Sequence, residues 1–486
     1  MITFIIGMVI LILGGAAYGR ICERVIKPDD RKTPAVRLED GVDFVPMKKW
    51  KNCLIQLLNI AGTGPIFGPI QGILFGPIAF LTIPIGCVLG GAFHDYMSGM
   101  ASMRNDGAQM PSLINKYLGK YVYFIYNVFI CLLLVLVGAV FIYTPGDLFV
   151  SQILKADSSI SNPVIWIVYG VIFVYYVIAT LFPVDKIIGR IYPIFGGILL
   201  LSALGVSIGI FIKGYPLDEI WETGVCGIHP QGLHFVPIFF VTVACGIVSG
   251  FHSTQSTLIS RTMKYEKEGR MTFYNMMIVE GFIAMVWAAA AMGAMKLGLA
   301  DVFTSTTGMV GIVANDLLGS VGGAVAIIGI IVLPITSGDT ALRSMRLIIA
   351  DALHIDQGKR KNRLFVALAI FVMVAILLLF SKMNADGFQI LWRYFAWANQ
   401  VIAVFAFAMI AVYMMREIKK TGLYMMALLP GMFYMFVVGS FILNSSIGFG
   451  LSWTASYLLA GVLSAVYAVG ILYTGKISKR FEQWPE

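Results

Sequence analysis

Four ionisable residues lie inside long apolar stretches of this 486-residue chain. They are His94 and Asp95 in one stretch, His252 in a second and Glu280 in a third. Ionisable groups in apolar surroundings are costly unless they pair or serve ion movement, and histidine titrates near neutral pH. We interpret His94, Asp95 and Glu280 as candidates for ion coupling, with a structural ion pair as the alternative. His252 is a candidate for direct substrate contact.

A second polar group is the run from Pro334 to Arg343, which contains three hydroxyls and one carboxylate. Hydroxyl and carboxylate oxygens are hard ligands suited to a small cation, so Thr336, Ser337, Asp339 and Thr340 are candidate ion-coupling residues. The alternative is an ion pair between Asp339 and Arg343, which stand four residues apart on one helix face.

Three polar residues, Arg393, Asn399 and Gln400, interrupt a later apolar stretch. A planar guanidinium suits a carboxylate ligand, and we include Asn399 among the candidate substrate contacts. The alternative for Arg393 is a side chain that reaches the membrane surface.

Metal and nucleotide chemistry have little support in the sequence. Cys226, His229 and His234 resemble metal ligands but have no fourth partner, so we expect no metal site. The chain has no Gly-x4-Gly-Lys-Ser/Thr motif, which argues against ATP-driven work by this chain. We therefore expect no enzymatic activity and no cofactor. The one bound ion that we consider is Na⁺ or H⁺, as the coupling ion.

The composition requires lipid around most of the chain. Apolar residues make up 58% and charged residues 13%, with a mean hydropathy of +0.84, whereas soluble chains are nearer half apolar and about a quarter charged. Runs of about 20 apolar residues recur, the length that a spanning helix needs. The formal charge of +9 is typical of basic loops at a membrane and does not require nucleic acid. The fold class is an all-α polytopic membrane protein.

The apolar runs predict thirteen membrane-spanning helices, the first of them a retained helix and not a signal peptide. With the N-terminus outside and the C-terminus in the cytoplasm, all but five of the 35 Lys and Arg residues fall in or beside the inner loops, as expected for a cell-membrane protein. The predicted spans lie near residues 2–19, 50–72, 75–103, 120–144, 161–181, 191–212, 234–256, 272–297, 320–349, 363–381, 386–413, 422–441 and 453–474.

Two of the predicted spans contain helix breakers. The second holds Gly62, Gly64 and Gly68 together with two prolines, and the seventh holds the run from Cys245 to Gln255 with two glycines. Unwound backbone survives in a membrane where it lines a cavity or packs in protein. Paired breaks in corresponding halves of a chain indicate the central site of a transporter.

Two short segments support an internal repeat. Residues 113–119 and 313–319 both end in Leu-Gly, and Asn115 and Asn315 occupy the same position in them. The predicted topology places the first segment inside and the second outside, as an inverted repeat requires.

Several motifs together resemble the carbon starvation protein A family, and they follow one another along nearly the whole chain. The motifs are Asp40-Gly-Val-Asp-Phe-Val-Pro-Met, Ala61-Gly-Thr-Gly-Pro-Ile-Phe-Gly-Pro, Gly91-Ala-Phe-His-Asp with Arg104-Asn-Asp-Gly, Ala244-Cys-Gly-Ile-Val-Ser-Gly-Phe-His, Thr336-Ser-Gly-Asp-Thr-Ala and Phe395-Ala-Trp-Ala-Asn-Gln.

The resemblance implies a secondary transporter with a leucine-transporter-like core of five plus five helices. Residues 50–413 would form this core, with repeats near 50–212 and 234–413, whereas 1–49 and 414–486 would be additions. The resemblance implies a central site along Gly62–Gly68 and Cys245–His252. The substrate contacts expected there are Gly62, Thr63, Gly64, Cys245, Ser249, Gly250, His252, Gln255 and Asn399. It also places Thr336, Ser337 and Thr340 where sodium-coupled relatives hold hydroxyl ligands against the first broken helix, near Ala61.

The family is linked to peptide uptake in starvation, and some relatives to proton-coupled pyruvate uptake. We expect cation-coupled uptake of small peptides or small carboxylates, with an amino acid or pyruvate/H⁺ symporter as the alternative. A channel or a transporter-derived nutrient receptor is the alternative from another class. The expected partners are the substrate and membrane lipid, and the sequence leaves the oligomeric state open.

Overall fold

The computed structural model describes residues 1–41, 43–181, 185–224, 229–302, 306–353, 355, 360–384 and 386–476. These residues form a bundle of helices without a named strand. Nine of the described helices are long and apolar enough to cross a membrane, and one bent pair makes a tenth span. The all-α membrane fold is confirmed, whereas thirteen as the number of crossings stays a prediction.

The principal helices follow the apolar runs of the sequence, and two single-turn helices, Pro34–Arg37 and Ile220–Thr223, lie between them. In chain order they are α1 Ile2–Ile26, α2 Lys49–Ala61, α3 Gly64–Phe75, α4 79–103, α5 Met110–Leu118, α6 Lys120–Ile153, α7 Pro163–Leu181, α8 Asp185–Ile212, α9 235–242, α10 Ala244–Ile247, α11 Gly250–Ile259, α12 Glu266–Lys296, α13 Thr306–Ala352, α14 Arg360–Met383, α15 Gly387–Ile418, α16 Met425–Asn444 and α17 Trp453–Lys476.

The first predicted break separates α2 from α3, which are bent by 46° at this point. Gly62 has φ +39° and ψ −138°, a conformation that a residue with a Cβ rarely adopts. Pro65 lies in the first turn of α3, where its missing N–H costs no helical hydrogen bond. The break therefore follows directly from the Gly-Pro sequence.

The second predicted break separates α10 from α11. Val248 and Ser249 have extended backbone, with ψ 130° and 125°. Because extended residues cannot continue the hydrogen bonds of a helix, the polar backbone on both sides of the break needs other partners. Both predicted helix breaks are confirmed.

The two Leu-Gly segments of the proposed repeat adopt the same backbone turn. Gly119, at the end of α5, has φ 91° and ψ 171°, and Gly319, within α13, has φ 71° and ψ 177°. In each case a short helix meets a long one at the glycine. The matching turns support the repeat, while the inverted orientation and the membrane topology stay predictions.

The last two helices attach to the outside of α15. The indole N–H of Trp397 donates to the carbonyl of Val438 at 3.0 Å, and the hydroxyl of Tyr467 donates to the carbonyl of Val404 at 2.8 Å. These bonds join α16 and α17 to α15. The proposed division of the chain into core and additions stays a prediction.

Candidate functional site

The two helix breaks lie in direct contact with each other. A Cβ built on Gly64 would lie 2.0 Å from the Cβ of Cys245, and one on Gly68 would lie 2.9 Å from the carbonyl oxygen of Thr242. Such separations are far below van der Waals contact, so these positions require glycine. The glycines of α3 thus allow its backbone to lie against α9 and α10.

Two buried polar side chains, Asn59 at the end of α2 and Thr63 just before α3, lie at the first break. Asn59 is 9% exposed and Thr63 is fully buried. The carboxamide oxygen of Asn59 and the hydroxyl of Thr63 have no hydrogen-bond partner within the described part of the chain. Phe141 from α6 covers Gly62, at 3.2 Å from a Cβ built there. Because an unpaired buried polar group is costly, these atoms are candidate ligand contacts.

Asn399 of α15 satisfies the backbone of the second break. Its carboxamide oxygen accepts the Phe251 N–H at 2.9 Å and the Ser249 hydroxyl at 3.0 Å, as a capping residue does at a helix N-terminus. Its nitrogen lies 3.5 Å from the Cys245 sulfur. Gly250 allows this approach, because a Cβ there would lie 2.3 Å from the Asn399 carbonyl oxygen. In this conformation Ser249 and Asn399 hold the break, and their predicted contact with a substrate stays a prediction.

Other α15 side chains bond to the carbonyls of α9. The indole N–H of Trp392 donates to the Thr242 carbonyl at 3.3 Å, and the Gln400 carboxamide donates to the Phe240 carbonyl. Trp392 and Gln400 of α15 therefore satisfy carbonyl groups at the interrupted end of α9. Gln255 on α11 is buried, and its carboxamide oxygen has no partner among the described residues, so it stays a candidate for ligand contact.

Aromatic rings pack beside the first break. Phe67 of α3 lies 6.0 Å from Trp392 and 6.4 Å from Phe388 between ring centroids. Trp392 lies 5.4 Å from Phe395, which in turn lies 6.2 Å from Phe141. These contacts join α3, α6 and α15 through apolar surfaces, so the rings close this side of the break in this conformation.

A small cavity of about 20 Å³ is lined in part by Gln389 and Arg393, the sequence neighbours of Phe388 and Trp392. This volume holds about one water molecule. Gln71, His229, Gln389 and Arg393 supply polar groups to its wall, and Arg393 is the one Lys or Arg among its described lining residues. Burial, followed by the nearby guanidinium of Arg393, lowers the pKa of His229 to about 4. His229 is therefore uncharged at neutral pH, whereas Arg393 is a cation in the described lining.

The three residues that resembled metal ligands have separate environments where they are described. His229 lines the small cavity, whereas the ring of His234 stacks on Trp453 at 4.3 Å and bonds to the Tyr457 hydroxyl at 2.8 Å. Cys226 lies outside the described residues.

The ionisable residues singled out from the sequence form one buried cluster. His94 and His252 each place Nδ1 near Asp95, at 2.9 Å from Oδ1 and 3.1 Å from Oδ2, respectively. The Nε2 of His252 lies 3.6 Å from Glu280 Oε2. All four side chains are fully buried. His252 faces two carboxylates here, so its predicted role in substrate contact stays a prediction.

The candidate cation ligands of α13 lie beside α2. The hydroxyl of Ser337 lies 3.4 Å from the Leu58 carbonyl oxygen, three residues before Ala61 at the end of α2. Thr336 directs its hydroxyl to carbonyls of its own helix, at 2.9 and 3.2 Å. Ser337 and the last turn of α2 are thus brought together, and their role in cation binding stays a prediction.

The remaining polar residues of this run contact α7. Asp339 accepts hydrogen bonds from the Tyr175 hydroxyl at 2.8 Å and the Thr340 hydroxyl at 3.0 Å. Arg343 donates to the carbonyl of Ala179 at 2.9 Å. These bonds tie α13 to α7, and the ion-coupling role predicted for Asp339 and Thr340 stays a prediction.

One buried ion pair was not anticipated from the sequence. Lys382 of α14 lies 2.9 and 3.0 Å from the carboxylate oxygens of Asp147 on α6. Tyr169 of α7 donates to the same carboxylate, and the Lys382 ammonium lies 4.8 Å from the centre of the Tyr143 ring. Lys382 is one of the five basic residues outside the predicted inner loops, and this unusual position could have marked it as a residue with a special role. The sequence did not indicate that its partner is Asp147.

Sequence comparisons relate the chain to membrane transport proteins. The family model described as Carbon starvation protein CstA matches residues 1–178, 146–317 and 287–440. An uncharacterized membrane protein of Haemophilus influenzae is 42% identical over 332 residues, which cover 59% of this chain and 89% of that protein. The peptide transporter CstA of Helicobacter pylori is 28% identical over 339 residues, which cover 57% of this chain and 49% of that protein.

A third relative is the pyruvate/proton symporter BtsT of Escherichia coli, 24% identical over 328 residues. The aligned residues cover 56% of this chain and 46% of BtsT. The chain therefore spans about half the length of these two named transporters.

Solved transporter structures share the fold at low sequence identity. A manganese transporter of Eremococcus coleocola has a TM-score of 0.59 at 13% identity, over 90% of this chain and 98% of that one. A Na⁺-coupled sialic acid symporter has a TM-score of 0.54 at 15% identity, over 99% of both chains. Likeness at this identity concerns the fold alone, whereas the family model covers most of the sequence. The chain belongs to the carbon starvation protein CstA family.

Proposed function

We propose that this chain is a secondary active transporter that couples uptake of a small peptide or a small carboxylate to a cation. The observation that carries the proposal is the direct contact between two helix breaks, with Gly64 against Cys245. Interrupted helices expose main-chain dipoles at the membrane midplane, and a transporter uses these groups to bind its passenger. The substrate site would form when the two breaks move apart.

The chemistry of the break favours a substrate with a carboxylate. The N-termini of α3 and α11 lie at Gly64 and Gly250, and a helix N-terminus attracts negative charge. The side-chain oxygens of Asn59 and Thr63, which have no hydrogen-bond partner among the described residues, would bind the other polar groups of the substrate. Peptides, amino acids and pyruvate all carry a carboxylate, and relatives are named as a peptide transporter and a pyruvate/proton symporter.

Arg393 would attract such a substrate before it reaches the break. The guanidinium lines the small cavity beside an uncharged His229. A cation in a confined space raises the local concentration of an anion. The aromatic rings of Phe67, Phe388 and Trp392 lie in the same region and would move to open the way.

Two groups of residues are candidates for the coupling cation. The hydroxyls of Thr336 and Ser337, with the carbonyls at the end of α2, would suit sodium. The buried cluster of His94, Asp95, His252 and Glu280 would suit a proton. The cluster favours an alternative within the same class, a proton symporter for pyruvate or an amino acid. The contact between two breaks disfavours a channel, which requires a continuous pore.

In the cell, we place the transporter in the cytoplasmic membrane, with its N-terminus outside and its C-terminus inside. The concentration of Lys and Arg in alternate loops supports this orientation. The family name connects the protein to growth under carbon starvation, in which uptake of scarce peptides or acids would be of use.

Counterflow in proteoliposomes tests the proposal. Vesicles loaded with unlabelled pyruvate, alanine or alanyl-alanine are diluted into trace amounts of the same labelled compound. We expect one of these compounds to accumulate transiently, and the initial rate to saturate with concentration. Flux that rises linearly without counterflow would indicate a channel, and binding without flux would indicate a receptor. Empty vesicles of the same lipid are the control.

A further inference from the structure

The buried cluster beside the second break joins three helices. His94 and Asp95 belong to α4, His252 to α11 and Glu280 to α12. None of the four side chains is exposed. Two carboxylates and two imidazoles are thus held in a region of low dielectric, where every change of charge has a large energetic effect.

The hydrogen bonds of Asp95 fix the orientation of both imidazole rings. Asp95 lies within 2.9 and 3.1 Å of the Nδ1 atoms of His94 and His252. With Asp95 ionised, its carboxylate can only accept hydrogen bonds, so both Nδ1 atoms then carry the proton. When the ring is neutral, the Nε2 atom of His252 then carries no proton, and its lone pair can accept a hydrogen bond. This atom lies on the side of α12.

Glu280 lies opposite this lone pair. Its Oε2 is 3.6 Å from His252 Nε2, and both Glu280 oxygens and this nitrogen lack a hydrogen-bond partner within the described ranges. An ionised Glu280 facing a neutral His252 would leave a buried charge unpaired, which is strongly unfavourable. One proton, on either Glu280 Oε2 or His252 Nε2, removes this conflict.

The other groups around the cluster do not compensate its charge. Among the described residues, the thiols of Cys87 and Cys245 also interact electrostatically with Glu280, and the ring of Phe407 packs on His94 at 5.2 Å. Among the residues that the structure describes, histidines make the ion pairs of Asp95 and Glu280. With one proton shared and Asp95 ionised the cluster carries one negative charge, and a second proton makes it neutral.

The position of the cluster links its charge to the second break. His252 stands in the first turn of α11, three residues after Ser249, whereas Asp95 and Glu280 stand on α4 and α12. A movement of α11 when the break opens would therefore change the distances from His252 to both carboxylates. Proton occupancy and the position of α11 must influence each other, because the energy of each charge state depends on those distances.

We propose that His252, Asp95 and Glu280 form the proton-binding site that couples proton movement to the opening of the second broken helix. The proton binds between Glu280 Oε2 and His252 Nε2 and leaves from the same atoms, so one O–H or N–H bond forms and later breaks. The inference rests on the proposed function and deepens it, since it names the proton as the coupling ion.

An infrared titration tests the site without a substrate. Purified protein in lipid is brought from about pH 8 to about pH 5, and the carbonyl stretch of protonated carboxyl groups is followed in difference spectra. We expect a buried-carboxyl band to change in the wild type and in Glu23→Gln, and to be absent in Glu280→Gln. Glu23 is the matched control, because it is a partly exposed carboxylate paired with Arg270 at 2.8 Å. A band that persists in Glu280→Gln, or a wild type in which neither this band nor the imidazole bands of histidine change, would overturn the proposal.

A transport measurement tests the coupling. Labelled pyruvate and alanyl-alanine serve as probes in two assays, counterflow at equal pH and accumulation driven by an inward proton gradient. In Glu280→Gln we expect the ratio of gradient-driven accumulation to counterflow to fall roughly ten-fold, and in Glu23→Gln to match the wild type. If both rates fall in proportion, Glu280 has a structural or substrate-binding role and the inference is wrong. If the wild type shows no counterflow, the proposed function fails, while the infrared titration still decides the proton site.

Discussion

Gly64 lies directly against the side chain of Cys245, since a Cβ built on Gly64 would lie 2.0 Å from the Cys245 Cβ and 2.4 Å from its sulfur. The two residues belong to different broken helices, α3 and α10, which are far apart in the sequence. Their contact therefore joins the two halves of the predicted transport core at the breaks themselves.

Gly64→Ala is expected to reduce counterflow by at least roughly ten-fold, because a clash of this size forces the breaks apart at a cost of about 1–3 kcal/mol or more. Counterflow and thermal unfolding are the measurements. Gly170→Ala is the control, since nothing lies within 4 Å of a Cβ at Gly170. Cys245→Gly should restore part of the activity of Gly64→Ala, because it removes both clashing atoms. Wild-type counterflow in Gly64→Ala would show that this contact does not matter for transport.

Asn399→Ala is expected to destabilise the second break. The change leaves the Phe251 N–H and the Ser249 hydroxyl without their acceptor, and each unpaired buried group costs about 1–3 kcal/mol. The melting temperature of the purified protein should fall. Asn127→Ala is a matched control, because Asn127 is also buried in a membrane helix but its carboxamide oxygen has no partner among the described residues. Equal losses in the two variants would contradict a capping role for Asn399.

Uptake driven by a proton gradient is expected to continue when choline replaces sodium. Thr336 directs its hydroxyl to its own helix, whereas the residues of the proposed proton site already lie together in this conformation. The initial rate should stay within about two-fold of the rate in sodium. A sodium requirement that disappears in Ser337→Ala would contradict this expectation, and it would identify the Ser337 hydroxyl and the Leu58 carbonyl as a sodium site.

The sequence predicted those features of the fold that have a local cause. The breaks follow from the Gly-Pro cluster at residues 62–69 and from Ser249-Gly250, because these residues weaken a helix wherever they occur. His94, Asp95 and Glu280 stood out because charged residues are rare in apolar stretches. The composition alone required a membrane fold, and the family motifs indicated which one.

Contacts between distant helices could not be predicted in the same way. His252 meets Asp95 across 157 positions, and Phe251 meets Asn399 across 148. Such pairs depend on how each helix is rotated about its axis, which a uniformly apolar helix does not encode in its pattern. His252 was therefore interpreted from its position near a break, and the carboxylates that it faces became visible only in the structure.

The pair of Asp147 and Lys382 permits a prediction about stability. The two side chains are 8% and 6% exposed, so Lys382→Met would leave a carboxylate buried without its cation, at a cost of about 3–5 kcal/mol. The double variant Asp147→Asn with Lys382→Met removes both charges and should recover most of this loss, because the remaining groups are neutral and of similar size. Thermal unfolding of the single and double variants gives the coupling energy between the two residues. If the double variant is no more stable than Lys382→Met alone, the ion pair does not hold α6 to α14, and the contacts of Tyr169 and Tyr143 with this site must do so instead.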